Sequence, residues 1–209
     1  MDQAPILTVT VPATVTALTT KTAFKLLHGI SANTDDAKID AMIDRATAAI
    51  EAETNRVFRR QTYSEQFRSV SGAAKLMLRR FPVASITSVT EDGTVVSASD
   101  YEIDKETGFL TRLSSDCPVE WCAAKIVVVY VAGYLLPGQT GRDLPADLEE
   151  GCLEQVKSGW FSATRDPLVK AEDIPDLGRI DYWVGQVGES AALVPQCLER
   201  IEKYRDRML

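Results

Sequence analysis

Histidine is nearly missing from this chain: among 209 residues there is one, His28. Acid–base sites draw on histidine more than on any other side chain, so few groups here could move a proton near neutral pH. His28 stands beside Gly29 at the end of a short predicted helix, where a charged imidazole gains from the helix dipole. A capping or surface role follows. Also missing are a nucleophile elbow, a Walker loop, a dinucleotide fingerprint and a two-histidine zinc helix. The residues point away from an enzyme, and no cofactor is expected.

Cysteine is scarce as well, with Cys117, Cys122, Cys152 and Cys197 the only four. The first two lie close together, but no second pair follows at ligand spacing, so neither zinc nor another bound metal is expected. Met1–Thr20 has no basic stretch before its apolar residues and does not read as a secretory signal, so reduced thiols serving as small buried hydrophobes are expected. The acidic pairs Asp35-Asp36, Glu149-Glu150 and Glu172-Asp173 lack the alternating ligands of a hand-type calcium loop. Long apolar runs are absent too. The longest, Ile126 to Pro137, is about a dozen residues, against roughly 20 for a membrane helix, so no membrane partner is expected. Positive charge is in deficit: 23 Lys and Arg against 30 Asp and Glu give a net charge of -7. A protein that grips nucleic acid by neutralising phosphates has the opposite balance. Arg59-Arg60 and Arg79-Arg80, beside Phe58 and Phe81, are the exceptions. They read either as a stacking and phosphate-touching surface or as solvated strand ends and partners for an acidic neighbour.

What is present is an ordinary folding composition, 45% hydrophobic and 25% charged, in a length able to bury a core as one compact unit. Thr20 can cap a short helix through Leu27, with Gly29 placed to stop it. From Thr34 to Phe58, the residues Ile39, Met42, Ile43, Ala46, Ile50 and Val57 recur at helical steps and form one apolar stripe. After Gln61 the pattern changes to short β-branched and aromatic segments. The predicted strands are Thr62–Phe67, Lys75–Leu78, Ser85–Thr90, Tyr101–Ile103, Phe109–Arg112 and Lys125–Val131. Asp92-Gly93 reads as a hairpin turn, and Thr107-Gly108 punctuates similarly. Strands that follow one another without helices between them favour an antiparallel sheet.

A second long helix begins within Asp143–Ala146, with Leu148, Cys152, Val156 and Trp160 as its stripe, and should pack on the first. Beyond Arg165, Pro167, Pro175, Gly178, Gly185 and Gly188 break any period, so an extended arm or functional loop is expected. Val194 to Met208 is a final amphipathic stretch bearing Leu198, Ile201, Tyr204 and Met208 on one side. Charge is uneven: residues 143–193 hold 11 acidic and 4 basic side chains.

Taken in order, these residues resemble the head-to-tail adaptor (connector) family of tailed bacteriophages. The likeness begins in the helix Asp36 to Phe58 with Ile43, Ala46, Ile50, Glu51, Thr54 and Arg56. It continues through Phe81-Pro82-Val83, Ile86-Thr87-Ser88-Val89, Asp92-Gly93, Asp100-Tyr101 and Thr107-Gly108-Phe109-Leu110. Its strongest piece is Val127-Val128-Val129-Tyr130-Val131-Ala132-Gly133-Tyr134, followed by Leu144-Pro145 and a helix bearing Trp160. The resemblance implies an α+β fold, in which a small helical bundle carries an inserted antiparallel β-sheet and an extended C-terminal arm. On this reading residues 1–19 are an N-terminal extended segment, 20–164 the adaptor core, and 165–209 the arm and C-terminal amphipathic helix.

The family has no catalytic residues to carry over. Its resemblance implies a structural protein of the virion neck, assembled in the host cytoplasm as a twelvefold ring of copies of itself. The ring would dock on the phage portal protein and receive a tail-side neck or tail terminator protein, while double-stranded DNA passes through without tight binding. Two sets of residues are then candidates. Glu149, Glu150 and Glu154 would form an acidic channel wall that repels phosphates. Leu198, Ile201, Tyr204, Arg205 and Met208 would bind the portal, carried away from the bundle by the arm. A small interaction or nucleic-acid-binding module and an enzyme with an unfamiliar site are the other readings. Salt-dependent retention on DNA would mark the first of these, and substrate turnover the second.

Overall fold

A computed structural model of the chain describes residues 4–163, 171–174, 178–181 and 193–206. Among the described residues the fold is α+β, with four α-helices and antiparallel sheets. Backbone contacts divide the chain into two compact units, one of residues 1–15 and 57–135, the other of 16–56 and 136–209. In sequence the two units alternate, residues 57–135 of the first, sheet-bearing unit falling between the two parts of the second, helical one.

The sheet unit holds nine strands: β1 Ile6–Val11, β2 Gln61–Ala73, β3 Lys75–Met77, β4 Val83–Glu91, β5 Thr94–Val95, β6 Tyr101–Ile103, β7 Phe109–Ser114, β8 Cys117–Val119 and β9 Trp121–Ala132. Five of them form a sheet in the order β1-β2-β9-β4-β5, and β3-β7-β6, with β8 on β7, form a second. All pairs are antiparallel. Both sheets contribute to one core, with Tyr63, Val89, Trp121, Val128 and Tyr130 from the larger and Leu76 and Leu110 from the smaller. Asp92-Gly93 makes the predicted two-residue hairpin, with positive φ at both positions and Glu91 opposite Thr94. Ser115 and Asp116 turn the chain in the same way between β7 and β8.

The helical unit contains α1 Lys21–His28, α2 Asp36–Thr54, α3 Ala146–Ser162 and α4 Pro195–Ile201. Thr20 caps α1 by accepting the Ala23 N–H, and Gly29 closes it in the left-handed conformation. Ion pairs from Lys25 to Asp36 (2.8 Å) and from Lys21 to Asp40 (2.9 Å) hold α1 on α2. Ile39, Ile43, Ala46 and Ile50 are the buried stripe of α2, facing Leu148, Cys152 and Val156 of α3. Trp160 is half-buried and meets the edge of Phe24, with ring centroids 5.9 Å apart.

Several boundaries depart from expectation for local reasons. α2 stops at Thr54, four residues early, because Asn55 takes a left-handed conformation and the Thr54 hydroxyl donates to the Ile50 carbonyl. β9 runs twelve residues, since the whole stretch from Trp121 pairs with β2. Residues 6–11, expected only to be extended, pair with β2 as an added strand. Within the expected irregular arm, β10 Ala171–Ile174 and β11 Gly178–Asp181 pair antiparallel. The segments 164–170, 175–177 and 182–192 of that arm lie outside the described residues.

Candidate functional site

The acidic wall expected on α3 is dispersed. Glu149 is 8% exposed and turns inward, pairing with Arg142 at 2.8 Å and accepting the Thr19 hydroxyl at 3.3 Å. A buried carboxylate needs such partners, so the sequence placing of Glu149 on a channel face is corrected here. Glu150 is exposed and pairs with Arg200; Glu154 is half-buried and pairs with Lys157 at 3.3 Å.

The C-terminal stretch is tied to its own bundle. Cys197 and Ile201 are buried, and both lie against Gly151 of α3, with Ile201 Cγ2 and Cys197 Sγ at 3.5 and 3.6 Å from where a Cβ would stand. Ile201 therefore fills this chain's core and is not free to enter a partner's groove, which corrects that part of the expected portal set. Leu198 is half-buried. A 3-10 turn at Glu202–Tyr204 follows α4, and there the Tyr204 hydroxyl donates to Asp147 at 2.7 Å while Lys203 pairs with the same carboxylate. Partial burial raises the Asp147 pKa, but the hydrogen bonds from Lys203 and Tyr204 outweigh it and hold the carboxyl below the usual range. Arg205 pairs with Glu53 and Glu202. The Asp206 N–H donates to the Thr54 carbonyl at 2.9 Å. Met208 lies outside the described residues.

Of the four cysteines, Cys152 and Cys197 are buried as expected, whereas Cys117 and Cys122 are exposed. Strand alternation explains Cys122: its neighbour Trp121 faces the core, so Cys122 must face outward. Burial pushes the Cys152 thiol up to about 12 and the Cys197 thiol up to about 11. Iodoacetamide should therefore modify Cys117 and Cys122 quickly in the native protein and leave Cys152 and Cys197 unmodified until unfolding, as read by peptide mass mapping. Fast labelling of all four would contradict the described packing. Serine at 117 and 122 should leave the fold and its melting temperature essentially unchanged. Among the described residues, no group of three or more His, Cys, Asp and Glu side chains is placed to hold a metal. No described helix is long and apolar enough to cross a membrane.

The first basic pair lies beside a buried ring, whereas Arg79 of the second is exposed. Phe58 is 1% exposed and cannot stack on a base, and Arg60 Nε donates to the Gly133 carbonyl at 3.0 Å. Near the other pair sits an acid that the sequence reading passed over. Glu65 on β2 is fully buried, and its Oε2 accepts from the Tyr130 hydroxyl (2.8 Å) and the Arg79 N–H (3.1 Å). Desolvation raises its pKa and outweighs the Tyr130 hydrogen bond, which lowers it. Above the ordinary value of 4.5, the folded protein retains a proton that the unfolded chain has released, so this group's contribution to stability falls as pH rises. It levels off beyond the raised folded value. Glu65→Gln should remove that slope: the melting temperature of the variant relative to wild type should climb from pH 4.5 upward. A difference that stays constant with pH would contradict the buried-acid assignment.

The described residues thus present packed cores and ion-paired surfaces. A family model described as head completion protein matches residues 17–157. Among curated proteins, no sequence matches significantly. Solved structures share the fold along almost the whole chain. A chain from the neck of an empty gene transfer agent particle, computed with C6 symmetry, is 19% identical, with a TM-score of 0.58 over 98% of this chain and 97% of that one. A chain from the neck of the native particle, computed with C12 symmetry, is 19% identical with a TM-score of 0.54 at the same coverage. A chain from the virion of the native particle is 18% identical with a TM-score of 0.58, again over 98% and 97%. With its family match spanning two-thirds of its length, this chain belongs to the head completion protein family.

Proposed function

We propose that the chain is a structural head-to-tail adaptor of a long-tailed phage, whose copies form a ring that docks on the portal, extends the DNA channel and offers a platform to a tail-side neck or tail terminator protein. Family membership over residues 17–157 carries the reading. The near-complete fold match to chains from gene transfer agent necks supports it. Twelve copies are favoured because a twelvefold ring also obeys sixfold symmetry, so the C12 and C6 descriptions of those necks are compatible. The ring would act in the virion neck after assembly in the host cytoplasm.

DNA must slide through such a ring, and the acidic balance of the chain suits repulsion better than grip. Glu150 and Glu154 are the wall candidates that remain on α3. Reversing both to lysine, with Glu149 left to its buried pair, should slow DNA release from particles while assembly proceeds. Normal release from correctly assembled particles would sink the wall. Portal docking is assigned to the C-terminal stretch through Leu198, Tyr204, Arg205 and Met208, with Ile201 holding that stretch on the bundle. The docking test is co-sedimentation of the purified full-length chain with portal rings. Stoichiometric binding is expected, together with no retention on DNA at physiological salt. Steeply salt-dependent DNA retention without portal binding would favour a nucleic-acid-binding module instead.

A further inference from the structure

The five-stranded sheet ends in two unusual edges. β1 forms one of them, and residues 4–20, which contain it, include no charged side chain. On β1, Ile6, Val9 and Val11 are 51%, 45% and 58% exposed. Val9 pairs with Tyr63 and Leu7 with Glu65, both buried, so the core-side face of the sheet continues onto β1, where, among the described residues, it ends with Val9 and Val11 exposed. At the other side β5 is two residues long and pairs only Thr90 and Glu91 of β4. Val83 donates to the Lys105 carbonyl and Val89 accepts from Val96, but between them, among the described residues, Ala84 to Ser88 have no backbone partner on that side. That edge, Val-Ala-Ser-Ile-Thr-Ser-Val-Thr from Val83 to Thr90, is uncharged too.

Proteins that stay monomeric blunt exposed edges with lysine, inward charges or coverage. Bulges interrupt β1 between Val9 and Val11, and β4 both between Val83 and Ser85 and between Ile86 and Ser88, but neither edge carries the charge that repels another strand. The two edges also match in direction. β1 is antiparallel to β2, β2 to β9 and β9 to β4, so β1 and β4 run oppositely. A second copy brought edge to edge would pair its β4 antiparallel with β1 of the first. β1 is six residues long and the open part of β4 is five, so the lengths agree.

We infer that copies of this chain join head to tail by pairing β1 of one with β4 of the next, making the larger sheet continuous from subunit to subunit. The two edges are different surfaces on one protomer, so the contact is heterologous and closes into a ring or continues as a filament, instead of stopping at a dimer. Val9 and Val11 would then be covered by the neighbour's Ile86 side of β4, and the backbone groups of both edges would be satisfied. The inference rests on the ring reading above and names its contact.

Disulfide trapping tests it. In full-length protein with serine at 117 and 122, cysteine is placed at exposed Thr8 and at exposed Ser85 or Thr87. Oxidation is applied to concentrated purified protein and to phage particles that carry the variants. We expect a ladder of covalent species beyond the dimer, only when both edges carry cysteine in the same chain, with circular dichroism unchanged. Dimers from Thr8→Cys alone would show β1 paired with β1 and overturn the proposal. Particles that contain the chain in many copies but give no ladder would overturn the β1–β4 contact and leave the ring intact. A chain absent from particles would instead defeat the functional reading, and the strand pairing then stands or falls on whether the purified protein gives the ladder.

Discussion

Alanine at position 133 is expected to destabilise the protein more than any other single methyl addition at the glycines described. Gly133 follows β9 with φ of +99°, and a Cβ there would stand 2.5 Å from the Arg59 carbonyl oxygen and 2.8 Å from that of Phe58. These are backbone atoms, which cannot swing aside. They are also held: the Gly133 N–H donates to Pro82, Tyr134 N–H to Phe58, and Arg60 N–H to Tyr134, at 2.9, 2.7 and 2.9 Å. Strain at positive φ costs about 1–3 kcal/mol, and forced displacement of packed neighbours about 1–3 kcal/mol more. Against a total stability of about 5–15 kcal/mol, Gly133→Ala should lower the denaturation midpoint severely. Gly93→Ala, where nothing lies within 4 Å, is the control with only the backbone cost. Equal melting temperatures for wild type and Gly133→Ala would contradict the crossing described here.

Deletion of residues 194–209 is expected to yield unfolded or aggregated protein. Val194, Cys197 and Ile201 are all buried on the bundle, and burying an aliphatic side chain of this size contributes about 1.5–3 kcal/mol. The deletion also strips Asp147 of Lys203 and Tyr204, and uncovers the side of α3 around Gly151. Ile201→Ala alone should cost about 2–5 kcal/mol. These outcomes are read by thermal melts and size-exclusion chromatography. A folded, soluble truncated chain that merely fails to bind portal would return Ile201 to the role of a detachable anchor.

Much of this architecture is legible because periodicity reports burial. Ile39, Ile43, Ala46 and Ile50 on α2 and Leu148, Cys152 and Val156 on α3 recur at helical steps, and these are the faces the two helices bury. Asp92-Gly93 and the cap at Thr20 are local chemistry, set by residues within a turn of one another. β1 lies in a stretch expected only to be extended, and Pro5 and Pro12 flank the strand, leaving the N–H groups between them free to pair. Glu65 could be inferred from alternation alone, since Tyr63 and Glu65 share a parity and so a face, but an acid on a core face runs against ordinary expectation. Ile201 and Glu149 were misplaced because amphipathic patterning states that a face is buried without naming what buries it. In both cases the partner, α3 for one and Arg142 for the other, belongs to the chain itself.

The central claim, that this head completion family member is a structural ring of the phage neck, is tested most directly by cryo-electron microscopy of intact virions. The reconstruction should be made without imposed symmetry on particles carrying a small tag on this chain. The account predicts tag density as a single ring of twelve between portal and tail, around the DNA channel, with each copy traceable as the fold described here. Tag density elsewhere on the capsid or tail, or particles that lack the chain altogether, would contradict it.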